Sequence, residues 1–173
     1  RDETPPAAED YIGAVCDVFA GKDYELIVEP GRSIVGDAGV LLTRVEYIKK
    51  TPHGNFAIVD AAMNDMLRPS LYAAWHDIVP LMEQSSGAGG DMYDIVGPVC
   101  ETGDFLGRAR KLSLAAGEVL AVSAAGAYGF SMSSNYNSRP RVCEVMLDRG
   151  NIYEIRRRET IDELMTGETL LPD

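Results

Sequence analysis

From Val40 onward, short β-type segments follow one another with no long helical pattern between them: residues 40–49, 56–60, 77–82, 91–96, 119–122, 142–147 and 152–155. Turn-forming residues separate several of them, at Pro52-His53-Gly54-Asn55, at 85–90 and at Asp148-Arg149-Gly150-Asn151. That succession predicts a β-barrel or sandwich. Short helical insertions are expected only at 65–72 and 160–165. With 173 residues, 46% of them hydrophobic, the chain is long enough for one main domain with a real core plus appendages. It contains no internal repeat, and the stretch 85–90 is its only low-complexity loop.

The first part of the chain reads differently. Thr4 before Pro5 and Pro6 has the chemistry of a helix N-cap followed by early prolines. Tyr11, Val15, Val18 and Phe19 then recur at helical spacing, and Gly21 ends the run, so an amphipathic helix of about four turns is expected. Residues 25–29 form a short, mostly apolar run closed by Pro30-Gly31, which predicts a buried parallel strand with Glu29 and Arg32 at its C-terminal end. Helix followed by strand is a piece of α/β architecture, and barrel enzymes keep their sites at such strand ends. A strand-end ion pair explains Glu29 and Arg32 equally well.

Charge and cysteine usage remove several classes of function. A net charge of −11 and an isoelectric point near 4.6 repel nucleic acid and anionic membrane. Cys16, Cys100 and Cys143 are odd in number and widely spaced, suggesting neither a disulfide framework nor a metal site, and fitting a reducing compartment such as the cytoplasm. No apolar run approaches the roughly 20 residues of a membrane span. The chain opens on Arg1-Asp2-Glu3 with neither an initiator Met nor a signal-peptide core, and is expected to be cut from something longer.

Two stretches carry polar chemistry where a core strand would alternate. Gly97-Pro98-Val99-Cys100-Glu101-Thr102-Gly103-Asp104 sets a thiol beside a carboxylate in a turn built from Gly and Pro, which makes an exposed loop the expectation for Cys100. A lone thiol is otherwise a small buried hydrophobe, the reading that suits Cys16 and Cys143. The second stretch, 126–137, sets Tyr128 between glycines before a run of hydroxyls and amides; its ring could fill space, with its hydroxyl finding a partner such as a phosphate. Arg68 and Tyr72 stand at i and i+4 and would share one helix face, where a guanidinium and a phenol suit a carboxylate. Taken alone, that pair is more simply a solvated surface pair. His53 and His76 are expected on the surface or in loops, not as catalytic bases.

In this order, Glu29-Pro30-Gly31-Arg32, Asn64-Asp65 through Arg68-Pro69 to Tyr72, the 97–104 loop, and Gly126 through Asn137 with Ser138-Arg139-Pro140 resemble the diaminopimelate decarboxylases. These belong to the alanine racemase-like (fold type III) decarboxylases that depend on pyridoxal 5'-phosphate. The resemblance covers almost the whole chain. Ornithine- and arginine-type members share the first, third and fourth elements but typically lack the Arg68 to Tyr72 arrangement and the Ser-Met-Ser-Ser-Asn-Tyr-Asn run.

The resemblance implies a mainly β fold: a C-terminal Greek-key-like β-barrel or sandwich domain at 37–173, preceded at 1–36 by the last helix and strand of a (β/α)8 barrel. The barrel strand with the Schiff-base lysine is absent, since Lys22, Lys49, Lys50 and Lys111 lie in no similar segment. The chain alone is therefore expected to be inactive. For the whole enzyme, the resemblance implies conversion of meso-2,6-diaminopimelate to L-lysine and CO2, the last step of lysine biosynthesis. Glu29, Gly31, Arg32 and Tyr128 are implied in holding pyridoxal phosphate; Arg32, Arg68, Tyr72, Glu101 and Tyr128 in holding substrate. Cys100 is implied as proton donor, acting in the neighbouring subunit of a homodimer with shared active sites. A polyamine-type decarboxylase acting on ornithine, arginine or carboxynorspermidine, or a non-catalytic decarboxylase-like binding module, stand as alternatives.

Overall fold

A computed structural model of the chain describes residues 4–82 and 89–172. The chain divides into two compact units, Arg1–Gly31 and Arg32–Asp173. The loop expected at 85–90 falls largely outside the described residues.

The first unit is built on α1, Ala8–Val18, whose first turn carries Glu9 and Asp10, favourably placed at the positive end of the helix dipole. The helix starts later than Thr4 and is 11 residues long, nearer three turns than four. Pro6 explains the delay: the residue before a proline is kept out of the helical region, so Thr4 and Pro5 cannot join the first turn. Ala7 precedes the helix in extended geometry with no side-chain cap, and Gly21 follows its end at φ +75°. Phe19 packs edge-on against Tyr24. The strand expected at 25–29 does not form. Residues 23–30 belong to no helix or strand, and Ile27 is 85% exposed. A parallel strand has no hydrogen bonds of its own, and this unit contains no other strand among the described residues to pair with it.

The second unit is a nearly closed, barrel-like sheet. Its strands are β1 (Leu41–Thr51), β2 (Gly54–Val59), β3 (Ile78–Pro80), β4 (Asp91–Val96), β5 (Phe105–Leu112) and β6 (Val119–Val122), in the order β3-β6-β1-β2-β4-β5. β2 and β4 are parallel, and the crossover between them carries the short helix α2, Arg68–Tyr72. The edge strands β3 and β5 meet across the gap: a Cβ on Gly107 would come within 2.8 Å of Ile78. Inside lies an apolar core in which Val45, Val59, Met66, Ile95, Leu106 and Leu120 are all but fully buried. β7 (Glu144–Asp148) and β8 (Asn151–Arg156) form a separate two-stranded hairpin. Arg149 and Gly150 turn it with φ of +47° and +82°, the positive pair that a two-residue hairpin turn requires. Residues 162–165 make only a 3-10 turn where a helical insertion was expected.

β5 is the strand that hydrophobic alternation does not reveal. Its run Phe-Leu-Gly-Arg-Ala-Arg-Lys-Leu is interrupted by a bulge at Ala109, which takes φ +52° and donates its N–H to Asp94 Oδ1 at 2.8 Å. The bulge turns Arg110 inward, where its guanidinium stacks on Trp75. His76, expected at the surface, is instead buried at 3% exposure with Nδ1 2.8 Å from the Ser123 carbonyl oxygen. The alternation that buries Ile78 at the start of β3 also buries the residue two positions earlier.

Leu26, Ile27 and Val28 in the first unit, and Leu147 and Ile152 on the hairpin, present large apolar side chains to solvent. The 173-residue chain is therefore expected to bind an apolar-surface dye and to self-associate. A monodisperse chain that leaves the dye dark would contradict this.

Candidate active site

The loop between β4 and β5 is built around the carboxylate of Asp104. Asp104 is buried and accepts the N–H groups of Val99 at 2.6 Å and Met63 at 2.7 Å. Its own N–H donates to the Glu101 carbonyl at 3.0 Å, and Gly97 N–H donates to the Asp104 carbonyl at 3.2 Å. Position 97 must be glycine, because a Cβ there would lie 2.6 Å from Asp104 Oδ1 and 2.8 Å from the Ala61 carbonyl oxygen. Pinned in this way, the loop buries Val99 and lifts Cys100 and Glu101 into solvent, with Cys100 a free thiol. The Tyr136 hydroxyl stands 3.4 Å from Glu101 Oε2.

α2 supplies the second group. Pro69 stabilises its first turn, and Ala73 ends it in left-handed conformation. Arg68 and Tyr72 share a face, and the Arg68 guanidinium carbon lies 5.5 Å from the Tyr72 ring centre and 5.6 Å from that of Tyr128. Arg68 Nε is buried with no hydrogen-bond partner among the described residues. Tyr128 is held in the left-handed region at φ +59°, a conformation costing a non-glycine residue about 1 kcal/mol. The local fold imposes it. Residues 36–39 and 125–126 cross closely enough for Ala125 N–H to reach the Gly39 carbonyl at 2.8 Å and Gly126 N–H the Gly36 carbonyl at 3.1 Å, and a Cβ on Gly126 would lie 2.9 Å from the Gly39 nitrogen.

Arg68, Tyr72 and Tyr128 are thus gathered into one cluster, and Glu101 meets Tyr136. Cys100 takes no part in the ring cluster, nor does Arg32, which is exposed on the 3-10 turn Gly31–Ser33. Glu29 is exposed in the first unit, and Gly31 takes φ +59°.

A buried polar cluster absent from the sequence expectations joins these parts. Asn64 accepts from Arg139 Nε at 2.9 Å and donates to the Ser134 carbonyl at 3.2 Å, while Ser134 N–H donates to the Asn64 carbonyl at 3.0 Å. Arg139 also donates to the Asp60 carbonyl at 2.7 Å and stands 3.7 Å from Asp65. Burial pushes the Asp65 carboxyl above the ordinary range, opposed by the Ala62 N–H, the Arg139 charge and the Asn64 amide. A cavity of about 240 Å³, lined by Met63, Asn64, Leu67, Ser134 and Tyr136, opens beside this cluster. The sequence signal was present: Asn64-Asp65 interrupts the apolar run from Ala61 to Leu67. Two adjacent polar residues there have to be buried with partners or turned out.

A barrel-like sheet with a Cys-Glu loop and an arginine set between tyrosines defines a class, and residues 11–126 match the model of the pyridoxal-dependent decarboxylase, C-terminal sheet domain. The chain belongs to that family. It is 59% identical, over 99% of its own length, to a diaminopimelate decarboxylase of Pseudomonas aeruginosa, and spans 41% of that relative. Among solved structures, diaminopimelate decarboxylase from Helicobacter pylori complexed with L-lysine superposes with a TM-score of 0.85 at 42% identity, covering 95% of this chain and 40% of that one. The corresponding co-complex from M. jannaschii gives 0.88 at 36% identity, covering 99% and 40%.

Proposed function

We propose that this chain is the C-terminal part of a pyridoxal-phosphate-dependent enzyme that converts meso-2,6-diaminopimelate to L-lysine and CO2, working as a cytoplasmic homodimer. The observation that carries this reading is Arg68: a guanidinium flanked by Tyr72 and Tyr128, with a buried Nε that lacks a partner among the described residues, is set to receive an anion. The relatives named diaminopimelate decarboxylase, two of them in complex with L-lysine, supply the chemical class of ligand. The free thiols and the lack, among the described residues, of a helix long and apolar enough to cross a membrane support the compartment.

The residues present fit the cofactor. The Tyr128 phenol is half exposed on a backbone locked by its neighbouring glycines, and suits a phosphate oxygen. When bound, pyridoxal phosphate supplies an electron-withdrawing ring that makes departure of CO2 with its electron pair left at Cα affordable. In this reading Glu29 keeps the ring nitrogen protonated, and the backbone at Gly31 admits close approach. Arg32, Arg68 and Tyr72 grip the carboxylate that is not lost, and Glu101 pairs with the distal ammonium. Tyr128 borders both cofactor and substrate. Cys100 donates its Sγ proton to Cα, and the resulting thiolate is reprotonated from solvent.

Arg68→Ala in the full-length enzyme is the test. A distal carboxylate is held in both ground and transition states, so KM for diaminopimelate is expected to rise while kcat changes less. Removal of one charge-assisted contact corresponds to about 1.5–3 kcal/mol, or roughly ten- to hundredfold in KM. An unchanged KM with a collapsed kcat would place Arg68 at the reacting centre and refute the assignment.

A further inference from the structure

α2 carries more than Arg68 and Tyr72. At about 100° per residue, these two lie about 40° apart around the helix, while Ser70 points to the opposite side. There the Ser70 hydroxyl donates to the carbonyl oxygen of Gly103, in the Cys100–Glu101 loop. Gly103 itself packs there: a Cβ on it would lie 3.7 Å from the Met63 methyl and 3.8 Å from Ser70 Cβ. A second tie joins the same two segments, since the Asp104 carboxylate bonds the N–H of Val99 in the loop and the N–H of Met63 five residues before Arg68. Neither tie involves Cys100 or Glu101.

We propose that Ser70 and Asp104 are positioning residues that anchor the Cys100–Glu101 loop to the segment carrying Arg68 and Tyr72, and so set where the Cys100 thiol stands. The physical need is plain. Cys100 sits on an exposed loop, the kind of segment that opens most easily, whereas a proton donor misplaced by 1 Å can lose about a hundredfold in rate. The ties meet that need with groups that suit no other task here. A serine hydroxyl can donate to a carbonyl, and a buried carboxylate can accept two N–H groups at once. Replacement of Asp104 by its amide puts an NH2 donor against one of those N–H groups and breaks a tie without changing shape. The link also means that the two functional groups of one chain cannot shift independently, whichever subunit's site each serves.

This inference rests on the reading of Cys100 as proton donor, and the experiment separates the two. Full-length enzyme loaded with pyridoxal phosphate is prepared as wild type, Ser70→Ala, Ser70→Thr and Asp104→Asn. Amide hydrogen exchange is followed for residues 97–104, and kcat and KM are measured with diaminopimelate. Ser70→Ala is expected to speed exchange in that loop and to lower kcat roughly ten- to hundredfold; KM rises by less than kcat falls, because Glu101 moves with the loop while the Arg68 face is untouched. Ser70→Thr, which keeps the hydroxyl, restores both. Asp104→Asn acts in the same direction; if it fails to fold, the serine pair decides alone. Unchanged exchange in Ser70→Ala overturns the proposal, and so does faster exchange with an unchanged kcat. Cys100→Ala, measured alongside, tests the donor role itself: an unchanged kcat there sinks the proton-donor reading instead, and the exchange data then decide whether the loop is anchored.

Discussion

Two full-length variants, each inactive alone, are expected to recover activity when mixed: one lacking the cofactor lysine that the proposed function places outside this chain, the other carrying Cys100→Ala with Glu101→Ala. Loss of a general acid alone lowers kcat by about 10²–10⁴. Recovery is expected because residues 100–102, the crest of the 97–104 loop, are exposed between Gly97 and Gly103, and the loop is held from within its own chain through Asp104, so that the crest can project without disturbing the sheet. In a two-fold dimer such a crest can complete the neighbour's site. With random exchange about half of the dimers are mixed, and each has one of its two sites built wholly from wild-type parts. Activity should therefore return to about a quarter of the wild-type value. No recovery after demonstrated subunit exchange would mean that Cys100 and Glu101 serve their own chain's site.

The second large effect concerns Arg139. This side chain bonds Asn64 and the Asp60 carbonyl and is the cation nearest to the buried Asp65 carboxylate, at 3.7 Å. Arg139→Ala removes all three contacts and leaves Asp65 buried without that charge. Breaking a buried pair costs about 3–5 kcal/mol; because Arg139 is part exposed and the approach is long, about 3 kcal/mol is expected. The sign of the pH dependence follows from Asp65. Burial raises its folded-state pKa, so its ionisation works against the fold: stability from this group is greatest below the unfolded value near 4 and is lost as pH rises through the folded pKa. Removing Arg139 raises that pKa further. The loss should thus be smallest below about pH 4 and widen toward neutrality. Denaturant unfolding at pH 4 and pH 7 checks this, and an equal loss at both values would show that Asp65 is not the charge left uncompensated.

How much was legible in the chain can be read from particular residues. β1, β2, β4 and β6 follow from short β-rich runs, several of them bounded by turn residues, and each contributes residues to the core. β5 does not, because a bulge at Ala109 and an inward arginine stacked on Trp75 break its period. Residues 25–29 carry the composition of a strand yet form none, since a strand is completed by a neighbour and composition does not supply one. The site divides in the same way. Residue types and spacing singled out Cys100, Glu101, Arg68, Tyr72 and Tyr128, and the fold gathers two of them, Tyr72 and Tyr128, around the Arg68 guanidinium. The groups that hold the loop, Ser70 and Asp104, make contacts over long separations in sequence that no local pattern reports.

The most direct measurement is CO2 release by the full-length, pyridoxal-phosphate-loaded enzyme from meso-2,6-diaminopimelate, ornithine and arginine in parallel. A substrate without the distal carboxylate leaves the Arg68 guanidinium without its counter-ion, a penalty of a few kcal/mol. Diaminopimelate is therefore expected to exceed the other two in kcat/KM by about two orders of magnitude or more. Faster release from ornithine or arginine, or no release from any of the three, would contradict the account.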